Sequence, residues 1–268
     1  MKKTCINNIL FGGLLIASSS VMATGFVTLN PNGFAAPGGT SAYTLCNITG
    51  NFGQGTSVPP SAGANNTCAI FQNNPPIAGY GQVANAVRNI VINGATIGTV
   101  TDRVWRSGTN CVYGAKIRLN NVDFDPSQAG AQFFEVNDFL RGGFRNRGPI
   151  SIAYNFVTRG AAQSDEVLYR AGLTFTSKVT PPNPNQPLTS SAPISLNWVD
   201  YTTDVNYQDP DGSSMRDSPW FYTKSTCTTA APAALAGALR LREMGQEGQT
   251  PLEISIPGYA PAGANTAP

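Results

Sequence analysis

Cys111 to Val122 reads CVYGAKIRLNNV. Val112, Gly114, Lys116 and Arg118 alternate with Tyr113, Ala115, Ile117 and Leu119, a period of two that sets a polar row and an apolar row on opposite sides of an extended chain. This predicts a half-buried strand. The same alternation recurs at Ile150–Val157 (ISIAYNFV) and Val167–Thr176 (VLYRAGLTFT), and the polar stretch Arg159–Glu166 between them predicts a hairpin. Upstream, Val87–Ile92 and Thr96–Trp105 flank Asn93-Gly94, two residues that tolerate the positive φ angles of a tight hairpin turn. Shorter strand-like runs are Phe26–Leu29, Ser41–Thr49, Cys68–Phe71 and Leu252–Ile256. In Phe133–Gly148, Phe133, Phe134, Phe139, Leu140 and Phe144 are interspersed with Glu135, Asp138, Arg141, Arg145 and Arg147.

Many short strands separated by Gly, Pro and Asn clusters point to a mainly β protein, an antiparallel β-sandwich of jelly-roll-like form with long loops. One helix is expected late in the chain. Thr228 or Thr229 caps it, Pro232 fits its first turn, Ala233–Met244 (AALAGALRLREM) consists of good helix formers, and Gly245 stops it. The Pro-rich run 181–193 reads as a long loop within a single domain spanning residues 24–268. Pro257 onward is a Gly/Ala/Pro tail expected to be mobile over 257–268.

Residues 1–23 read as a signal peptide. Lys2 and Lys3 form a basic start, Ile9–Ala17 is too short to span a bilayer, and Val21-Met22-Ala23 offers a cleavage site. Loss of Lys2 and Lys3 from seventeen basic residues leaves fifteen, equal to the fifteen acidic ones. Charged residues make up 12% of the chain against roughly 25% in ordinary globular proteins, which argues against an electrostatic grip on nucleic acid. No later apolar run reaches the length of a membrane helix, and most of the chain lacks the ten-residue alternating strands of a transmembrane barrel. The expected location is secreted, cell-surface or periplasmic.

Cys46, Cys68, Cys111 and Cys227 remain after cleavage, an even number that reads as two disulfides in an oxidising compartment. The favoured pairing is Cys46 with Cys68, around a Gly/Asn/Pro-rich excursion, and Cys111 with Cys227. The second bond closes a loop of more than a hundred residues, for which chain entropy gives roughly 4 to 5 kcal/mol.

The chain contains no histidine. That removes Ser-His-Asp and Cys-His nucleophiles and His-ligated zinc, copper and iron. Lys116, Lys178 and Lys224 are the lysines left after cleavage, and none forms a Ser-x-x-Lys pattern. Carboxylate chemistry survives, because a glycosidase or lyase needs only two suitably spaced acids. Glu135, Asp138, Asp200 and Asp204 are the candidate acids, with Trp198 and Trp220 as sugar-stacking faces.

Ile194–Cys227 concentrates Trp198, Tyr201, Tyr207, Trp220, Phe221 and Tyr222 around five aspartates, and Trp198, Tyr201 and Trp220 are its candidate ligand-binding residues. Within it, Asp209, Asp211 and Asp217 place oxygens around Gly212 in a manner suited to calcium, the one cofactor considered. Arg141–Gly148 (RGGFRNRG) has an RGG-like look but stands as a single copy in a neutral exported chain. The reading that follows is a non-catalytic adhesive, glycan-binding or structural subunit, with a glycan or another extracellular protein as partner. The alternatives are a carboxylate-dependent glycoside hydrolase or lyase and a filament subunit assembled by N-terminal strand addition. All four mature cysteines are expected to be oxidised: intact-mass analysis of unreduced, unfolded protein after alkylation will show no added label, and two labels would refute the pairing.

Overall fold

The computed structural model describes residues 25–36, 39–46, 67–70, 74–155, 158–159, 163–164, 168–175, 192–208, 215–244 and 249–268. Residues 1–23, read above as a signal peptide, most of the 181–193 loop, and Asp209 and Asp211 lie outside the described residues. The described chain opens with β1 (Val27–Thr28), β2 (Phe34–Ala36), β3 (Gly39–Ser41), β4 (Tyr43–Leu45) and β5 (Ala69–Ile70). Three long strands follow, β6 (Gly81–Ile92), β7 (Ala95–Ser107) and β8 (Asn110–Leu119), then β9 (Glu135–Gly142), β10 (Ser151–Asn155), β11 (Thr158–Arg159), β12 (Gln163–Ser164) and β13 (Arg170–Gly172). The last are β14 (Trp198–Asn206), β15 (Trp220–Thr226), β16 (Ala233–Glu243) and β17 (Leu252–Ala260).

Two antiparallel sheets face each other. The first runs β1-β10-β15-β8-β7-β6, with β5 added in parallel to β10, and the second runs β17-β16-β9-β14-β13-β4. β8 pairs β15 in the first sheet while β9 pairs β14 in the second, so the chain crosses between sheets after β8 and again after β14. That nesting is the jelly-roll-like feature; β6, β7 and β8 instead stay together as a meander. Between the sheets, the rings of Phe139, Tyr201 and Phe221 pack with centroids 5.3 to 5.9 Å apart. The Tyr201 hydroxyl meets Thr223 Oγ1 at 2.6 Å, which satisfies its polar end inside the core. Both disulfides form as expected, Cys46–Cys68 and Cys111–Cys227, and both suit an oxidising extracellular or periplasmic location.

The expected helix over Ala233–Met244 is a strand. Ala and Leu favour helix by only a few tenths of a kcal/mol per residue. Here that preference is overridden because β16 lies between β17 and β9 and pairs with both. Gly237 at φ +68° sits in a bulge between Leu235 and Leu239, after which Leu239 and Leu241 alternate with Arg240 and Arg242. Among the described residues the expected hairpin of Ile150–Val157 with Val167–Thr176 is also absent, because β10 belongs to the first sheet and β13 to the second, and the antiparallel pair between them is β11 with β12. Part of the expected tail is strand. Residues 257–260 complete β17, and Asn197 Nδ2 and Trp198 Nε1 both donate to the Ala267 carbonyl, at 2.6 and 3.0 Å.

One ion pair crosses the apolar interior. Arg141 Nη2 of β9 lies 2.7 Å from Asp102 Oδ1 of β7, and both side chains are buried. Asp102 Oδ2 accepts the Tyr259 amide at 2.7 Å, and Arg88 Nε of β6 stands 3.5 Å from it. Arg141 also donates to the Tyr259 carbonyl at 2.8 Å. Removing one partner strands a buried charge, so Asp102→Ala is expected to cost about 3 to 5 kcal/mol in denaturant unfolding. Replacing both, as Asp102→Leu with Arg141→Met, should cost less than Asp102→Ala alone.

Candidate functional site

Cross-strand register places the notable acids. Thr202 of β14 lies opposite Asp138 of β9 and Arg170 of β13, and Arg242 of β16 lies opposite Asp138, so these four side chains share the outer face of the second sheet. Asp200, two residues from Thr202, is on that face as well, beside Gly172 and, beyond it, Tyr43. Tyr43 Oη donates to Asp200 Oδ2 at 2.9 Å. Arg170 Nε donates to Thr202 Oγ1 at 3.0 Å, which donates in turn to Asp138 Oδ1 at 3.1 Å. The Arg170 guanidinium sits 4.1 Å from the centre of the Tyr43 ring.

Asp138 and Asp200 are fully buried in this layer. Burial, and then the charge of Asp138, push the Asp200 carboxyl well above the usual range against the opposing pull of Arg242, the Tyr43 hydrogen bond and Arg170. Its Oδ1 has no hydrogen-bond partner among the described residues. The layer therefore favours the protonated form of Asp200 beside Asp138. Of the other two candidate acids, Glu135 projects from the opposite face of β9 to Asp138, and Asp204 lies in the β14 bulge and accepts Asn206 Nδ2 at 3.0 Å. The four are not gathered at one place.

The candidate aromatic residues also separate. Tyr201 is in the inter-sheet core. Trp198 is buried on the outer face of the second sheet, its indole against Phe175 at 4.9 Å and its N–H taken by the tail. Trp220 is half-buried on the outer face of the first sheet, stacked on Tyr222 with Arg103 5.0 Å above its ring. Asp217 pairs with Arg118 at 3.3 Å and Arg216 at 3.8 Å. No cluster of three metal-ligating side chains occurs among the described residues.

The arginines of the RGGFRNRG segment all engage groups of their own chain. Arg141 enters the core pair, Arg145 donates to the Pro268 carbonyl at 2.9 Å, and Arg147 donates to the Ala262 carbonyl. Beside this segment are an apolar cavity of about 390 Å³, lined by Leu29, Phe144, Ile150, Leu173 and Leu196, and a polar one of about 250 Å³ that includes Arg145 and Asn265.

Among the described residues one long strand edge has no strand beyond it, although Tyr259 Oη donates to the Asn85 carbonyl at 3.4 Å. β6 ends the first sheet and pairs with β7 alone, across the Asn93-Gly94 turn, whose φ angles of 48° and 82° are those a two-residue hairpin needs. Val83, Val87 and Val91 are 38%, 64% and 48% exposed along it. Arg88 is its one charged residue, and it turns inward to Asp102. The sequence shows the second half of this strand plainly, but Gly81–Ala86 (GQVANA) was missed because small and amide side chains carry a weak strand signal. The regular spacing of Val83, Val87 and Val91 could have found it.

No family model, curated protein or solved structure matches the chain. No helix among the described residues is long and apolar enough to cross a membrane.

The raised Asp200 carboxyl has a pH consequence. The native state holds its proton more tightly than the unfolded chain does, so the stability it supports is complete below the unfolded value of about 4 and is lost as pH rises through the folded value. Asp200→Asn keeps the neutral shape, so wild type should lose stability relative to this variant as pH rises from acid to neutral. Denaturant unfolding across that range will show the divergence, and a constant difference would refute it.

Proposed function

We propose that the protein is an exported structural subunit that associates by adding a strand to the open edge of β6. The supporting observation is how differently the sheet ends are finished. At the far side of the first sheet, β1 and β5 are two residues each, and β4 at one end of the second sheet has three. β17 at the other end carries Pro257, which has no amide to donate, and Glu253 paired with Arg240 and Arg242. Short strands, prolines and charges are the usual means by which an edge is kept from pairing with another chain. Among the described residues, β6 is the long edge without them: twelve residues, with Val and Asn on its outer face. Added strands gain main-chain hydrogen bonds along such an edge and need no active site.

The formally neutral charge of the mature chain fits this reading, since it opposes no close approach between subunits. The test is hydrogen exchange over residues 84–90 in protein extracted in assembled form from the producing cells. Those amides should be protected there, and Val87→Lys, which sets a charge on the exposed row without touching the core, should abolish both the protection and the assembly. Fast exchange of this segment in the assembled form would overturn the reading.

A further inference from the structure

We infer that the strand added to β6 is β6 of a second copy, running antiparallel, with the two-fold axis through Val87. The inference rests on the strand-addition reading above and adds its partner and register. A two-fold axis perpendicular to the sheet keeps the outer face of one copy continuous with that of the other, so outward residues meet outward residues. Centred on Val87, the pairing sets Val87 against Val87 and Asn85 against Asn89 on the outer face. On the inward face it sets Ala86 against Arg88 and Ala84 against Ile90.

The neighbouring centres are worse. Moving the axis to Arg88 sets Arg88 opposite Arg88, and like charges directly opposite are destabilising. Moving it to Ala86 breaks the like-with-like match, with Val87 against Asn85. The backbone allows this centre. The shift between Gln82 and Ala84 leaves Val83 as an extra residue on β6, whereas at the shift between Ile90 and Val91 the extra residue, Ile97, belongs to β7, so β6 itself is regular from Ala84 to Ile92, a stretch that contains Val87. A bulge re-aims and twists a strand, so pairing begins beyond Val83.

A donated N-terminal segment fits less well. In this structure Val27 and Thr28 pair with Ile152 and Ser151 of the same chain, and the Leu29 amide donates to the Ile150 carbonyl at 2.8 Å. That segment is already a strand of its own sheet. A lone edge-to-edge pair buries less than the roughly 1,200 Å² of a standard interface, so the association is reversible and concentration-dependent.

The test is cysteine cross-linking in the mature, full-length chain, whose own four cysteines are buried in disulfides. Under mild oxidation Val87→Cys should give a covalent dimer, since directly opposed residues on antiparallel strands lie within disulfide reach. Asn85→Cys alone and Asn89→Cys alone should not, whereas an equal mixture of the two should. Cross-linking of Asn85→Cys alone as efficient as that of Val87→Cys would overturn the register. Failure of all four samples would overturn self-pairing. A purified protein that stays monomeric while residues 84–90 are protected in the cell-extracted assembly would leave strand addition standing and assign β6 to a different partner, which also overturns this inference.

Discussion

The two sheets are placed relative to one another by the Asp102–Arg141 pair. An apolar interior holds two sheets together but is indifferent to small sliding movements, because burial is non-directional. An ion pair with its hydrogen bonds is directional. Asp102 engages Arg141 of β9, Arg88 of β6 and the Tyr259 amide of β17, while Arg141 reaches the Tyr259 carbonyl and, at 3.4 Å, the Gly114 carbonyl of β8. Five strands from both sheets meet at two side chains. Taking these charges out of water is costly, and the arrangement is tolerable because nearly every donor and acceptor finds a partner there.

The outer faces solve different problems. That of the first sheet is aromatic: Trp105 and Tyr222 pack at 5.9 Å, and the Trp105 N–H donates to Asn74 Oδ1 at 3.0 Å. Gly114 lies beneath them, where a Cβ would come within 2.7 Å of the Trp105 ring. That of the second sheet is ionic, a row of acids, arginines and Tyr43 beside Trp198 and the docked tail. The acidic, aromatic stretch after Ile194 supplies both kinds of environment because alternate residues point opposite ways: Trp198 and Asp200 outward, Val199 and Tyr201 inward.

This alternation explains which features were legible in the sequence. The Asn93-Gly94 turn and the disulfide pairing followed from local pattern or from counting, and both stand in the structure; the strand expected over Cys111–Val122 is there as β8 but ends at Leu119 and is buried on both faces from Cys111 to Ala115. Ala233–Met244 misled because intrinsic helix preference was weighed without its two strand partners. The period-two pattern of Leu239 to Arg242 was there to be read. The false hairpin between residues 150 and 176 arose from assuming that neighbours in sequence pair, whereas here the chain changes sheets between them. The role of the carboxylates was out of reach for a related reason. Residue type marked Asp138 and Asp200 as reactive candidates, and only register shows them buried among Thr202, Arg170 and Tyr43.

The core and the open edge are physically linked. Arg88 is the one charged residue of β6, and on an edge strand such a residue would ordinarily discourage pairing with another chain. Asp102 draws it inward to 3.5 Å, and its guanidinium lies 5.1 Å from the Tyr259 ring, against the neighbouring sheet. The acid that fixes one sheet over the other thus also removes the edge's charge from the surface. What remains facing outward is Val and Asn, side chains that pack or hydrogen-bond with their own kind across a strand pair. A sandwich locked in this way presents a rigid, uncharged edge, and rigidity lowers the conformational cost of accepting another strand.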